Sequence, residues 1–216
     1  MRFERRIGGG FKRGTPLLAL GSSGAQGQIH AGGSLIRDIL ARCRGGWYRV
    51  KHQYFFRNAL MEGRLYAYCR LEIKGPGKIR FGKGVRILPT AFGGDHVSLY
   101  LNHPESRILV GRNAVLRGTR VGCESAIEIG ENAVIESASL FDTDFHNIDA
   151  SKRDEKAATS TKPLVIGEGA YVGWESCIGK GVSLGSGAVV LPNTVLTWKA
   201  TAPHVVLLGV PGRVLA

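Results

Sequence analysis

From Ile166 to Val195 the chain repeats a six-residue unit five times without a gap. Every unit opens on an aliphatic residue (Ile166, Val172, Ile178, Leu184, Val190), and four of the five place glycine second (Gly167, Gly173, Gly179, Gly185). The fifth position is always small or β-branched (Ala170, Ser176, Val182, Ala188, Thr194). Six residues make one short strand and one turn, and three such units close a triangular coil. The first residue of each unit points into a narrow core and stacks on its counterpart in the next coil. The fifth also points inward, near a corner with little room, and so is small. Glycine at the second position is expected to serve a turn with unusual backbone dihedrals. A single coil has too little core to stand alone and depends on its neighbours. A prism of parallel strands is therefore predicted, in preference to an antiparallel β domain with glycine turns.

Earlier fragments carry the same pattern: Phe81-Gly82 with Val85, Ile87 with Ala91, Val110-Gly111 with Ala114, and Ile129-Gly130 with Ala133. They are read as interrupted around 92–109 and 117–128. Upstream the character changes. Residues 1–33, with Gly8-Gly9-Gly10 and Gly21-Ser22-Ser23-Gly24, read as a flexible basic, glycine-rich arm. Residues 34–70 read as a helical cap region. Ser34 is the expected N-cap of a helix whose apolar stripe is Leu35, Ile36, Ile39, Leu40 and Cys43, ended by Gly45-Gly46. A second helix is expected from Trp47 to about Leu65, with Val50, Tyr54, Phe55, Leu60 and Met61 on its apolar side. The β-helix domain is expected over 71–216.

Charge is concentrated at the N-terminal end. The net charge is +12, and residues 1–70 hold 13 basic against 3 acidic side chains. Anionic membranes, phosphorylated substrates and nucleic acid all match such a field, but no nucleic-acid reading element accompanies it. Basic residues interleave with Trp47, Tyr48, Tyr54, Phe55 and Phe56. The preferred reading is a cap that covers the end of the prism with its apolar face and leaves its charges in water. The alternative is peripheral contact with an anionic membrane. No apolar run approaches membrane-spanning length, and the short Leu17–Leu20 stretch falls below that of a secretory signal. A cytoplasmic protein, at most peripheral at the inner membrane face, is expected. The four cysteines (Cys43, Cys69, Cys123, Cys177) lack disulfide-framework or zinc spacing, and no metal is expected.

With its hexads, the interruption Phe141-Asp142-Thr143-Asp144-Phe145-His146-Asn147-Ile148-Asp149 and the ending Gly209-Val210-Pro211-Gly212-Arg213-Val214, the chain resembles the hexapeptide-repeat acyltransferases. The likeness is to the sugar O-acetyltransferases of polysaccharide biosynthesis and covers about residues 75–215. It implies a left-handed parallel β-helix, a homotrimer with sites between subunits, acetyl-CoA as co-substrate without a metal, and a saccharide acceptor. It places the catalytic histidine at His146. An imidazole can take a hydroxyl proton and return it to a leaving thiolate. Asp144 is the expected support for that ring, with Asp142, Asn147 and Asp149 as acceptor-binding candidates. The same resemblance puts acyl-CoA along the C-terminal coils, against Tyr171, Gly173, Trp174, Thr194 and Thr197, with Lys199 and Arg213 as phosphate partners. The polar segment 149–162 is expected to replace one coil and fold over the acceptor cleft. Two other readings stay open: N-acetylation of an amino sugar, and a non-catalytic β-helix serving as an assembly module.

Overall fold

The computed structural model describes residues 35–90, 96–146, 149–152, 155, 160–197 and 200–215, so the arm at 1–33 and Ser34 lie outside the described residues. Three sheets of parallel strands form the faces of a prism, with the coils contributing strands to the three faces in turn and the antiparallel strand Arg213–Val214 ending the second face. The C-terminal coils follow the hexads. Tyr171–Val172 pairs with Val189–Val190 on the second face, and Cys177–Ile178 pairs with Val195–Leu196 on the third. All five opening residues are buried, as are all five fifth-position residues. Their stacked side chains form one continuous core from Tyr48 to Leu207.

The glycines serve a different purpose from the one expected. Residues in the left-handed region occupy the fourth position of each unit: Gly169, Glu175, Gly181, Gly187 and Asn193, with φ between 57° and 72°. The second-position glycines instead allow coils to touch. A Cβ on Gly167 would lie 2.6 Å from the Gly185 carbonyl carbon, and one on Gly185 would lie 2.5 Å from the Ala202 oxygen. Gly82, Gly111, Gly130, Gly167 and Gly185 each meet the backbone of the next turn in this way, making a glycine column along the first-to-second corner.

The early coils are regular in architecture but not in spacing. Ile178 pairs with Leu196, 18 residues on, whereas Ile79 pairs with Ile108 and Leu99 with Val121. Insertions at corners hide the period. The stretches read as interruptions contain strands His96–Leu101, Arg107–Val110, Arg120–Cys123 and Ala126–Ile129. The prism also begins earlier than residue 71, at the strand Ala59–Met61.

Helix α1 (Leu35–Arg49) runs through Gly45-Gly46, and a π-helical turn at Val50–Phe55 takes the place of the expected second helix. A Cβ at Gly45 would sit 1.9 Å from the Leu65 carbonyl oxygen, so glycine here brings the helix onto the first coil. Packing overrides the poor helix propensity. The face that docks is Ala41, Gly45 and Tyr48. Arg44 donates to the Ala67 carbonyl at 3.1 Å, and the Leu71 amide donates to the Tyr48 hydroxyl at 2.9 Å. These bonds occupy main-chain groups at the open end of the coil stack, where an uncovered edge invites pairing with another chain. The expected apolar stripe points the other way: Leu35, Ile36, Ile39, Leu40 and Cys43 are solvent-facing. Among the described residues no helix is long and apolar enough to cross a membrane.

Candidate active site

The prism breaks at the corner between its third and first faces. After the strand Ser139–Phe141 the chain leaves, and it rejoins at Leu164–Ile166. Ile127 nevertheless pairs directly with Leu164, so the segment loops out without replacing a coil. Its base is closed by an antiparallel bridge between Thr143 and Thr161 and by the Lys162 amide donating to the Asp142 carbonyl at 2.9 Å.

Asp142 anchors this base. It is fully buried, accepting the Glu124 amide at 2.8 Å, the Ser125 amide at 2.7 Å and the Cys123 thiol at 3.5 Å. A carboxylate buried in this way is satisfied by charge-assisted bonds and has no face left for an acceptor. The acceptor-binding role expected of Asp142 is therefore replaced by a structural one. Burial, with the Asp142 carboxylate beside it, pushes the Cys123 thiol up to about 12.

Beyond Asp142 the backbone tightens. The His146 amide donates to the Asp144 carbonyl at 2.7 Å, closing a three-residue turn around Phe145, whose φ is +60°. Such turns are rare and strained. Two contacts hold this one. The Phe145 amide donates to the Thr143 hydroxyl at 3.0 Å, and the Phe145 ring stands edge-on to Phe141 at 4.9 Å. Gly122 makes room for that ring, since a Cβ there would fall 2.6 Å from Phe145 Cζ. Thr143 in turn donates to Glu124 Oε2 at 3.0 Å. His146 emerges exposed from this turn, and among the described residues no side chain hydrogen-bonds its ring.

The Asp144 carboxylate does not support the imidazole. It accepts from Lys180 Nζ, which also donates to the Ser160 carbonyl at 3.4 Å. Lys180 belongs to the corner of the next coil, so the pair ties the outgoing loop to the prism. Asp149 is exposed and caps its own turn by accepting from the Ser151 amide and hydroxyl, which hold its carboxyl below the usual range. Asn147 lies outside the described residues.

The residues expected to meet acyl-CoA divide among several places. Thr197 follows the third-face strand Val195–Leu196, on the same corner as His146 and below Gly179. Two strand spacings separate these coils, roughly 10 Å along the prism. Trp174, 40% exposed, sits instead at the corner between the second and third faces. Tyr171 is half-buried; its hydroxyl donates to Glu136 at 2.8 Å while Arg117 approaches the other carboxylate oxygen at 3.2 Å. Burial and that carboxylate push the Tyr171 hydroxyl far up. Gly173 is packed under Pro192, and Thr194 is fully buried, accepting from the Gly209 amide at 3.3 Å. Both are enclosed by the coil stack, which leaves them no surface for a cofactor. Arg213 is exposed in the final antiparallel strand, and Lys199 lies outside the described residues. One chain thus sets His146 and Thr197 on one corner and Trp174 on the next. Sequence reading missed Lys180, Glu124 and Glu136. Lys180 occupies the third position of a hexad, where nothing local marks it.

No family profile and no curated protein matches the chain. Solved structures do. A point mutant of AntD, an N-acyltransferase from Bacillus cereus in complex with dTDP and coenzyme A, is 19% identical, with a TM-score of 0.56 over 73% of this chain and 81% of that one. A hexapeptide-repeat containing acetyltransferase from Vibrio cholerae is 19% identical, with a TM-score of 0.50 over 85% of this chain and 93% of that one. AntD in complex with dTDP and 3-hydroxybutyryl-CoA is also 19% identical, with a TM-score of 0.50 over 78% of this chain and 86% of that one. At this identity the likeness is one of fold: the chain is a left-handed β-helix of the kind found in hexapeptide-repeat acyltransferases.

Proposed function

We propose that the protein is an acetyltransferase that moves an acetyl group from acetyl-CoA to a saccharide hydroxyl, with His146 as general base. The observation that carries this reading is the broken corner, where a strained turn braced by Thr143, Phe141 and Asp142 holds one imidazole out into solvent. Strain of this sort, about 1–3 kcal/mol, persists where function maintains it. The neighbours in fold add the donor: both AntD structures contain coenzyme A or an acyl-CoA.

In this mechanism the His146 ring takes the proton of the acceptor hydroxyl as the oxygen attacks the thioester carbonyl. The tetrahedral adduct collapses with loss of the C–S bond, and the imidazolium returns its proton to the departing thiolate. Lys180 holds Asp144 and so fixes the segment that carries the histidine. Residues on two corners of one prism serve one site if Trp174 of a neighbouring copy faces His146 across a cleft. A homotrimer with three equivalent sites would meet that condition. An acetyl-CoA donor fits a cytoplasmic reaction.

Amine acetylation is the second reading, favoured by the likeness to an N-acyltransferase. The same base serves either acceptor. A thiol-release assay with acetyl-CoA and a panel of sugars and amino sugars tests both. His146→Ala should lower kcat by about 10²–10⁴, the range for a positioned base; equal rates in both proteins would remove His146 from catalysis. Lability of the product to mild hydroxylamine then separates an ester from an amide.

A further inference from the structure

Helix α1 is amphipathic in an unusual sense. At 100° per residue, Ala41, Gly45 and Tyr48 define the face that docks on the first coil. Ile36, Ile39, Leu40 and Trp47 fall on the opposite arc, where Ile36 is 69%, Leu40 56% and Trp47 61% exposed. Phe55 of the following turn is exposed as well. Monomeric proteins rarely leave so continuous an apolar strip in water.

The strip is bordered by cations on both sides. By the same angular placement, Arg37 lies along one border and Arg49 along the other, while Arg44 and Arg42 beside them turn toward the prism, onto the Ala67 carbonyl and the Tyr66 ring. Asp38, the one acidic residue of the helix, is turned toward the prism, where it accepts the Tyr68 hydroxyl at 2.7 Å. An apolar centre between two basic margins calls for an occupant that is apolar in the middle and anionic at its edges. Two copies of this face would set arginine against arginine in either pairing, which disfavours self-association. Residues 1–34 carry five basic residues against one acidic, so they share the sign of the margins they would have to cover.

We propose that this outward face of α1 docks the protein on an anionic lipid bilayer. The apolar strip enters the headgroup boundary, and Arg37 and Arg49 meet lipid phosphates. Because α1 is fixed to the first coil through Arg44 and Tyr48, the β-helix is carried rigidly with it. The docking surface does not depend on the catalytic reading, since no residue assigned to the broken corner lies on it.

The test is co-sedimentation of the full chain with vesicles of phosphatidylcholine alone or with about one third phosphatidylglycerol, at low salt. The wild type should pellet with the mixed vesicles and stay soluble with phosphatidylcholine. The uncharged double variant Ile36→Gln with Leu40→Gln preserves net charge and should partition at least about tenfold more weakly. Its circular dichroism and its thiol-release rate on a soluble acceptor should match the wild type. Failure of the wild type to bind, or equal binding by the variant, overturns the proposal. So does a fall in oligomer size of the variant without lipid, which would make the face a contact between copies. A readout in the wild type avoids dependence on the variant's folding. Brominated lipid should quench its emission, and Trp47→Phe should remove that component. Quenching that is absent, or that survives Trp47→Phe, contradicts the docking.

Discussion

The third-to-first corner of the prism is built twice in adjacent coils, by opposite means. In the lower coil the chain passes from Ile178 to Ser183 through Gly179-Lys180-Gly181-Val182, with Gly181 supplying the left-handed residue. In the coil above, the same connection runs from Phe141 to Leu164, holds a buried carboxylate, and places a left-handed phenylalanine before an exposed histidine. The short version shows that the fold needs nothing more to turn this corner. The long version is more than closing the coil requires, and the proposed function places its chemistry there.

Substitutions can separate the two corners. The largest effect is expected at His146, where alanine should reduce turnover by about 10²–10⁴ while shifting stability by no more than about 0.5 kcal/mol, as for other exposed sites. Urea unfolding beside the thiol-release assay checks both halves. Asp142→Ala should lower stability by about 2 kcal/mol, because the partly buried amides of Glu124 and Ser125 lose their shared acceptor. Gly185→Ala tests the regular coils. The new Cβ meets the Ala202 backbone, and overpacking of this kind costs about 1–3 kcal/mol, measured as a lower urea midpoint. Lys180→Met frees Asp144 and is expected to change stability by less than about 1 kcal/mol, the range of partly exposed pairs, while slowing turnover severalfold through the loosened loop.

The smallest effect at neutral pH belongs to Cys123. Burial, with the Asp142 carboxylate beside it, pushes the thiol up from the ordinary 9.0 to about 12. The native state therefore favours the protonated form. The corresponding stability is complete below pH 9 and is lost as pH rises toward 12. Alkaline unfolding followed by circular dichroism should be less steep in Cys123→Ala, and a disulfide reagent should leave Cys123 unmodified in the folded protein.

How much of this was readable in the sequence follows the same division. Where each coil takes 18 residues, as from Ile178 to Leu196, strand, corner and core position could all be assigned from spacing. Where insertions shift the register, as from Ile79 to Ile108, isolated units such as Phe81-Gly82 and Val110-Gly111 could be picked out but not the coils that join them, although their inward residues are as apolar. His146 stood out because it lies in the break. The partners of that break did not. Asp142 and Asp144 look alike in sequence, yet one is sealed by amides from the coil before and the other is held by a lysine from the coil after. Helix α1 was misread for a further reason. Its apolar stripe suggested a core-facing surface, whereas close approach to Leu65 required the small face of Ala41 and Gly45.

A crystal structure of the protein with coenzyme A tests the catalytic account most directly. The account predicts the cofactor sulfur within about 3–4 Å of the His146 imidazole, with the pantetheine arm following the same corner toward Thr197. Coenzyme A seated along another corner, with the His146 ring out of reach of the sulfur, would contradict it.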